Sequence, residues 1–141
     1  EEVCDITVSS STLKGTTIGG DLIPRLIDEI PVIAVAALFA EGTTVIKDAQ
    51  ELKVKESNRI DAVVTELKRT GAAIEATEDG MVIHGGKAIH GAEFSTYNDH
   101  RMAMSLAILA LAADGKSTID NPAVVDISFP GFFTVLEQLQ K

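Results

Sequence analysis

Three stretches of this sequence concentrate the residue types that bind anions and move protons. Lys53-Val54-Lys55-Glu56-Ser57-Asn58-Arg59 places a carboxylate three residues before a guanidinium. At a helix start, where Ser57 or Asn58 can cap, that spacing sets both side chains beside the unpaired N–H groups of the terminus. Spacing alone supports two readings equally. One is a solvated ion pair of little consequence; the other is an anion site in which Lys55, Arg59 and the helix terminus hold a phosphate or carboxylate while Glu56 handles protons. Tyr97-Asn98-Asp99-His100-Arg101 precedes the almost wholly apolar Met102 to Ala113. A helix that apolar is buried, so the polar residues at its mouth are carried on a rigid core. His and Arg have the wrong charge for a helix N-terminus, and a bound anion would relieve that conflict. Asp28-Glu29, before Ile30-Pro31-Val32, reads by itself as ordinary helix-start chemistry.

Other polar residues carry less. His84 and His90 flank the Gly85-Gly86 turn and read as surface residues, Met102 and Met104 as packing, and Cys4 as a small core residue. Neither GxxxxGK[ST] nor GxGxxG occurs, so nucleotide binding has no support.

The elements that must position these clusters come from hydrophobic periodicity. Thr16 to Gly19 predicts a strand, and Ile23 to Ala40 a helical stretch with a break or a new first turn at Pro31. A strand follows at Thr43 to Lys47, then a helix over about Ser57 to Arg69 with Ile60, Val63, Val64 and Leu67 on one face. Ala73 to Ala76 and Met81 to His84 predict a hairpin around Glu78-Asp79-Gly80. A second series has a strand near Ala92 to Thr96, a helix from about His100 to Ala113, a strand at Ser117 to Asp120 and a helix from about Pro130 to Gln140. The two series match when Gly42 is laid on Gly115, each a helix C′ glycine followed by a β-branched strand, an offset of 115 − 42 = 73 residues. The expected fold class is therefore α/β, built from βαβαββ units at about 15–84 and about 85–141, the second incomplete.

The chain has 141 residues, 12 Lys+Arg and 21 Asp+Glu, for a net charge of −9. One Tyr, five Phe and no Trp add no stacking platform, so neither the charge nor the aromatics suit nucleic acid. The longest apolar run, Ile30 to Ala40, is too short to span a membrane. A single cysteine points to a reducing compartment, and a cytoplasmic location is expected. The chain starts abruptly, without an initiator Met, which leads us to expect a fragment.

In order and spacing, several stretches resemble the 5-enolpyruvylshikimate-3-phosphate (EPSP) synthase family from about residue 15 to the end. These are Asp28 leading into an Ala-rich helix and Glu41-Gly42-Thr43-Thr44; Val54-Lys55-Glu56-Ser57-Asn58-Arg59; Tyr97-Asn98-Asp99-His100-Arg101-Met102-Ala103-Met104; and Ser128-Phe129-Pro130. The resemblance implies an inside-out α/β barrel domain of repeated βαβαββ units, one of two domains with the active site between them. It implies transfer of the enolpyruvyl group of phosphoenolpyruvate to the 5-hydroxyl of shikimate 3-phosphate, releasing phosphate, without metal or organic cofactor. Carried over, Asp28 contacts the shikimate hydroxyls and acts as a base, Glu56 is the proton-transfer acid/base, and Lys55 helps hold shikimate 3-phosphate. Arg59 and Arg101 bind the phosphoenolpyruvate anion, with His100 beside them. Two positions depart from the family pattern: Ile127 stands where many members have a Lys, and Glu51 where some have an Asn. The family's N-terminal Lys loop, its Gly-rich motif and the opposing phosphate-binding residues do not occur here. The chain reads as a single partial domain, about the C-terminal third of the enzyme, inactive without that missing part. The alternatives are a non-catalytic anion-binding or scaffold module of the same fold, and the sister UDP-N-acetylglucosamine enolpyruvyl transferase.

Overall fold

The computed structural model describes residues 3–139. The first series folds as β1 (Thr17–Ile18), a short helix α1 (Ile23–Leu26), α2 (Ile30–Leu38), β2 (Thr43–Ile46), α3 (Arg59–Lys68), β3 (Ala73–Ala76) and β4 (Met81–His84). The second runs β5 (Glu93–Phe94), α4 (His100–Ala112), β6 (Thr118–Ile119) and α5 (Phe132–Leu139). The molecule is α/β, as expected. Gln140, included in the expected last helix, lies outside the described residues. The helical stretch from Ile23 breaks earlier than its proline: a 3-10 turn spans Ile27–Glu29, and Pro31 sits in the first turn of α2, where its missing N–H costs nothing. Cys4 is exposed, which corrects its reading as a core residue: residues 3–13 are exposed and belong to no helix or strand, and Val3, Ile6 and Val8 are exposed with it.

A four-stranded sheet has the order β1-β2-β4-β3, with β1 parallel to β2 and the β3–β4 hairpin antiparallel; β5 and β6 pair in parallel as a second sheet. The three longer helices are held in two ways. α2 and α4 are apolar on nearly all sides, pack on one another and sit largely in the core. By contrast, α3 is amphipathic and turns Ile60, Val63, Val64 and Leu67 inward onto β3 and the neighbouring helices. With Ile46, Ile74, Met81 and Ile83 from the strands, these side chains make one apolar core. The mouths of α3 and α4 and the turn before α2 therefore stand on a common rigid base.

The same backbone ladder is built twice. Gly15 N–H donates to the Glu41 carbonyl at 2.7 Å, and Gly91 N–H to that of Asp114 at 2.7 Å. Glu41 N–H returns to Leu13 and Asp114 N–H to Ile89, both at 2.9 Å. These pairings require glycine. A Cβ on Gly15 would lie 2.3 Å from the Thr43 carbonyl oxygen, and one on Gly91 would lie 2.2 Å from that of Lys116. We expect Gly15→Ala to lower stability by roughly 1–3 kcal/mol, the scale of overpacking. A shift of the urea midpoint at constant slope would show it, and an unchanged midpoint would refute it.

Candidate active site

The mouth of α4 is organised by Asp99, which is fully buried and in the extended conformation of an N-cap. Its Oδ1 accepts from Arg101 N–H at 2.9 Å and Met102 N–H at 3.4 Å. Its Oδ2 accepts from Ser57 Oγ–H at 3.0 Å and Arg59 Nε–H at 2.8 Å, and Arg59 Nη2–H reaches Oδ1 at 3.2 Å. One carboxylate thus ties the start of α4 to the start of α3. Sequence reading took Asp99 only as part of a motif; a cap residue has no signature that marks a second role.

Arg59 is the counterpart, a guanidinium only 1% exposed. Besides Asp99 it donates Nη1–H to Asp28 at 2.9 Å and Nη2–H to Glu56 at 2.6 Å. Four of its five N–H donors are used within the chain. Lys55 adds an ion pair to Asp28 at 3.5 Å. Asp28 and Glu56, half-exposed, therefore stand side by side on one fork. Of the two readings open for Glu56 and Arg59, a solvated surface pair is excluded: the cation is buried and satisfied by three carboxylates from three elements.

Arg101, at the first turn of α4, is partly exposed and donates Nη1–H to Glu29 Oε1 at 2.5 Å. Both line a cleft of about 250 Å³, whose polar lining is Asp28, Glu29, Arg101 and Ser105 and whose apolar lining includes Met104, Ile108 and Phe129. His100 is buried beside Arg101, and its Nδ1 has no hydrogen-bond partner among the described residues. Lys53, by contrast, is exposed on the 3-10 turn Gln50–Val54, as is Glu51, while Ile127 is 71% exposed. Among the described residues, no group of His, Cys, Asp or Glu is disposed to hold a metal ion.

The loop before α4 is strained and braced. Tyr97 and Asn98 take left-handed backbone conformations, φ 55° and 54°, common for Asn and costly for Tyr. Buried Glu66 of α3 accepts from Tyr97 O–H at 2.9 Å and Ser95 N–H at 3.0 Å. Asp120, just past β6, accepts from Thr96 N–H at 2.9 Å and from both hydroxyls, Ser95 at 2.8 Å and Thr96 at 3.0 Å. Neither Glu66 nor Asp120 stands out in the sequence: Glu66 lies within α3 and Asp120 just after a short strand.

Burial opposes ionisation of Asp28, Asp99 and Asp120, yet all three are held below the ordinary aspartate value of 3.8. Arg59 outweighs burial for Asp28 and Asp99, with Lys55 adding to the first and Ser57 and the Arg101 N–H to the second; at Asp120 the Thr96 and Ser95 hydrogen bonds do so. Because these folded-state values are depressed, the stability they contribute is complete above 3.8 and is lost as pH falls below it through the folded values. Acid titration of the folded protein is expected to show stability falling as pH drops below 3.8 through that window. A plateau persisting well below pH 3.8 would mean that these contacts contribute nothing.

The fold is that of the enolpyruvyl transferases. The structure superposes on EPSP synthase from Acinetobacter baumannii with a TM-score of 0.86 at 40% identity, covering 90% of this chain and 30% of that one. It superposes on the enolpyruvyl transferase NikO from Streptomyces tendae with a TM-score of 0.68, covering 92% and 28%; at 21% identity, this likeness speaks to the fold alone.

Sequence narrows the class. The family described as EPSP synthase (3-phosphoshikimate 1-carboxyvinyltransferase) matches residues 1–136, beginning earlier than the motifs implied, and the chain belongs to that family. It is 58% identical over 141 residues to the 3-phosphoshikimate 1-carboxyvinyltransferase of Bacillus cereus (strain AH187), covering all of this chain and 33% of the relative. It is 60% identical over 139 residues to that of Thermoanaerobacter sp. (strain X514), covering 99% and 33%. The chain thus spans about a third of the length of these curated relatives. Among the described residues, no helix is long and apolar enough to cross a membrane.

Proposed function

We propose that this chain supplies one wall of the active site of an enzyme that transfers the enolpyruvyl group of phosphoenolpyruvate to the 5-hydroxyl of shikimate 3-phosphate. The opposing wall comes from the remainder of a protein as long as its relatives, working in the cytoplasm. The observation that carries the reading is the pairing of Asp28 and Glu56 on one buried guanidinium. Enolpyruvyl transfer needs two proton-handling groups at one place. The hydroxyl loses its proton as its oxygen bonds to C2 of the enol, while C3 gains one. Loss of a C3 proton with cleavage of the C–O bond to phosphate then restores the double bond. Asp28, held ionised at neutral pH, takes the hydroxyl proton, and Glu56 delivers and retrieves the proton at C3. Lys55 holds shikimate 3-phosphate. Phosphoenolpyruvate lies against Arg101 and the one Arg59 N–H left over by the carboxylates, with His100 beside them.

The test is a chimera in which this chain replaces the matched third of the Thermoanaerobacter relative. Phosphate release from phosphoenolpyruvate and shikimate 3-phosphate is expected from the chimera and not from the isolated 141 residues. A folded chimera without turnover would overturn the assignment, and so would robust turnover by the isolated chain.

A further inference from the structure

Of the two carboxylates lining the cleft, Asp28 and Glu29, the proposed reaction leaves Glu29 without a task. Its partner is informative. Arg59 gives four of its five N–H donors to Asp28, Glu56 and Asp99, and Lys55 is drawn to Asp28. Arg101 differs: its side chain makes a single hydrogen bond, from Nη1 to Glu29, and its Nε and Nη2 have no partner among the described residues. It also stands at the first turn of α4, where a cation is disfavoured by the helix dipole, so it is held there only against an anion. The anion in direct contact is Glu29, from the turn before α2, 72 residues away in sequence, with the Asp28 carboxylate also near enough to feel the same cation.

From this geometry we infer that Glu29 is a positioning residue: it pins Nη1 of Arg101 and so presents the guanidinium's Nε/Nη2 edge, ready-made for a carboxylate or phosphate, to the cleft they both line. Without it, a long and partly exposed side chain must be ordered by the ligand itself, which lowers affinity. Glu29 is 54% exposed and the pair is a surface one, so its removal leaves fold stability nearly unchanged. The effect is on orientation, not on the core.

The inference rests on the proposed anion site, and two readouts on the chimera, which contains the opposing wall, separate them. The first needs no ligand: the Arg101 Nε–H resonance in side-chain NMR. It is expected to be ordered and slow to exchange in the wild type and in Glu29→Gln, whose amide oxygen still accepts from Nη1, and averaged in Glu29→Ala. The second is titration with phosphoenolpyruvate at that resonance. Glu29→Ala is expected to bind about threefold to tenfold more weakly, the scale of fixing one rotamer-rich side chain, with Glu29→Gln restored to near the wild-type value and the melting temperature unchanged in both. An Nε–H equally ordered in Glu29→Ala would overturn the positioning role whatever the ligand does. Equal or tighter binding by Glu29→Ala would also overturn it, showing that Glu29 competes with the anion. Wild type that orders Arg101 through Glu29 yet shows no response to phosphoenolpyruvate would count against the anion site and not against the pinning.

Discussion

Asp99→Ala is expected to be the most destabilising single substitution at the site, by about 3–5 kcal/mol. Two losses combine. Removing the carboxylate leaves the start of α4 uncapped, which costs about 1 kcal/mol. It also leaves Arg59, 1% exposed, without the partner that takes two of its donors. The second loss dominates, since breaking a buried pair from one side strands a charge in a medium that cannot solvate it. Asp28 and Glu56 still reach the guanidinium but lie toward solvent, and they do not replace a buried counter-charge. Denaturant unfolding of wild type and variant gives the comparison. The combined Arg59→Met, Asp99→Leu chain separates the causes, because exchanging the whole pair for apolar residues should recover a good part of the loss. A single variant within 1 kcal/mol of wild type would show that Asp99 is not the hub that its geometry describes.

Glu56→Gln is expected to cost catalysis while sparing the fold. The amide oxygen of Gln can still accept from Arg59 Nη2, so the cluster keeps its shape, but the side chain can no longer give or take a proton at neutral pH. In the chimera, turnover should fall by about 10²- to 10⁴-fold, the usual share of a general acid or base, with the KM for phosphoenolpyruvate little changed. Arg101→Ala should act differently, by raising that KM, because it removes binding surface. The contrast is what tests the roles. If Glu56→Gln turned over normally, the proton would have to come from another group, and the side-by-side placement of two carboxylates on Arg59 would be structural only.

Much of this was legible from residue order. Periodicity placed β3 at Ala73–Ala76 and β4 at Met81–His84, and began α4 at His100. Gly42 and Gly115 both take positive φ ahead of β2 and β6, because a glycine with positive φ before a β-branched strand is a local pattern that side-chain chemistry writes directly into sequence. The 3-10 turn at Pro122–Ile127 was not anticipated, since a single irregular turn has no period to detect.

Sequence alone thus determined the α/β class, the helix starts at which the charged residues gather and the family, all of which depend on neighbours within a few residues or on motif identity. Only the tertiary structure decided how those mouths work together. Arg59 meets Asp28 across 31 residues and Asp99 across 40, and Arg101 meets Glu29 across 72. Such partners are chosen by the packing of α2, α3 and α4 on one core. A charged residue in sequence looks the same whether it faces water or is sealed against three carboxylates, and the difference between those two environments is what turns a helix start into a site.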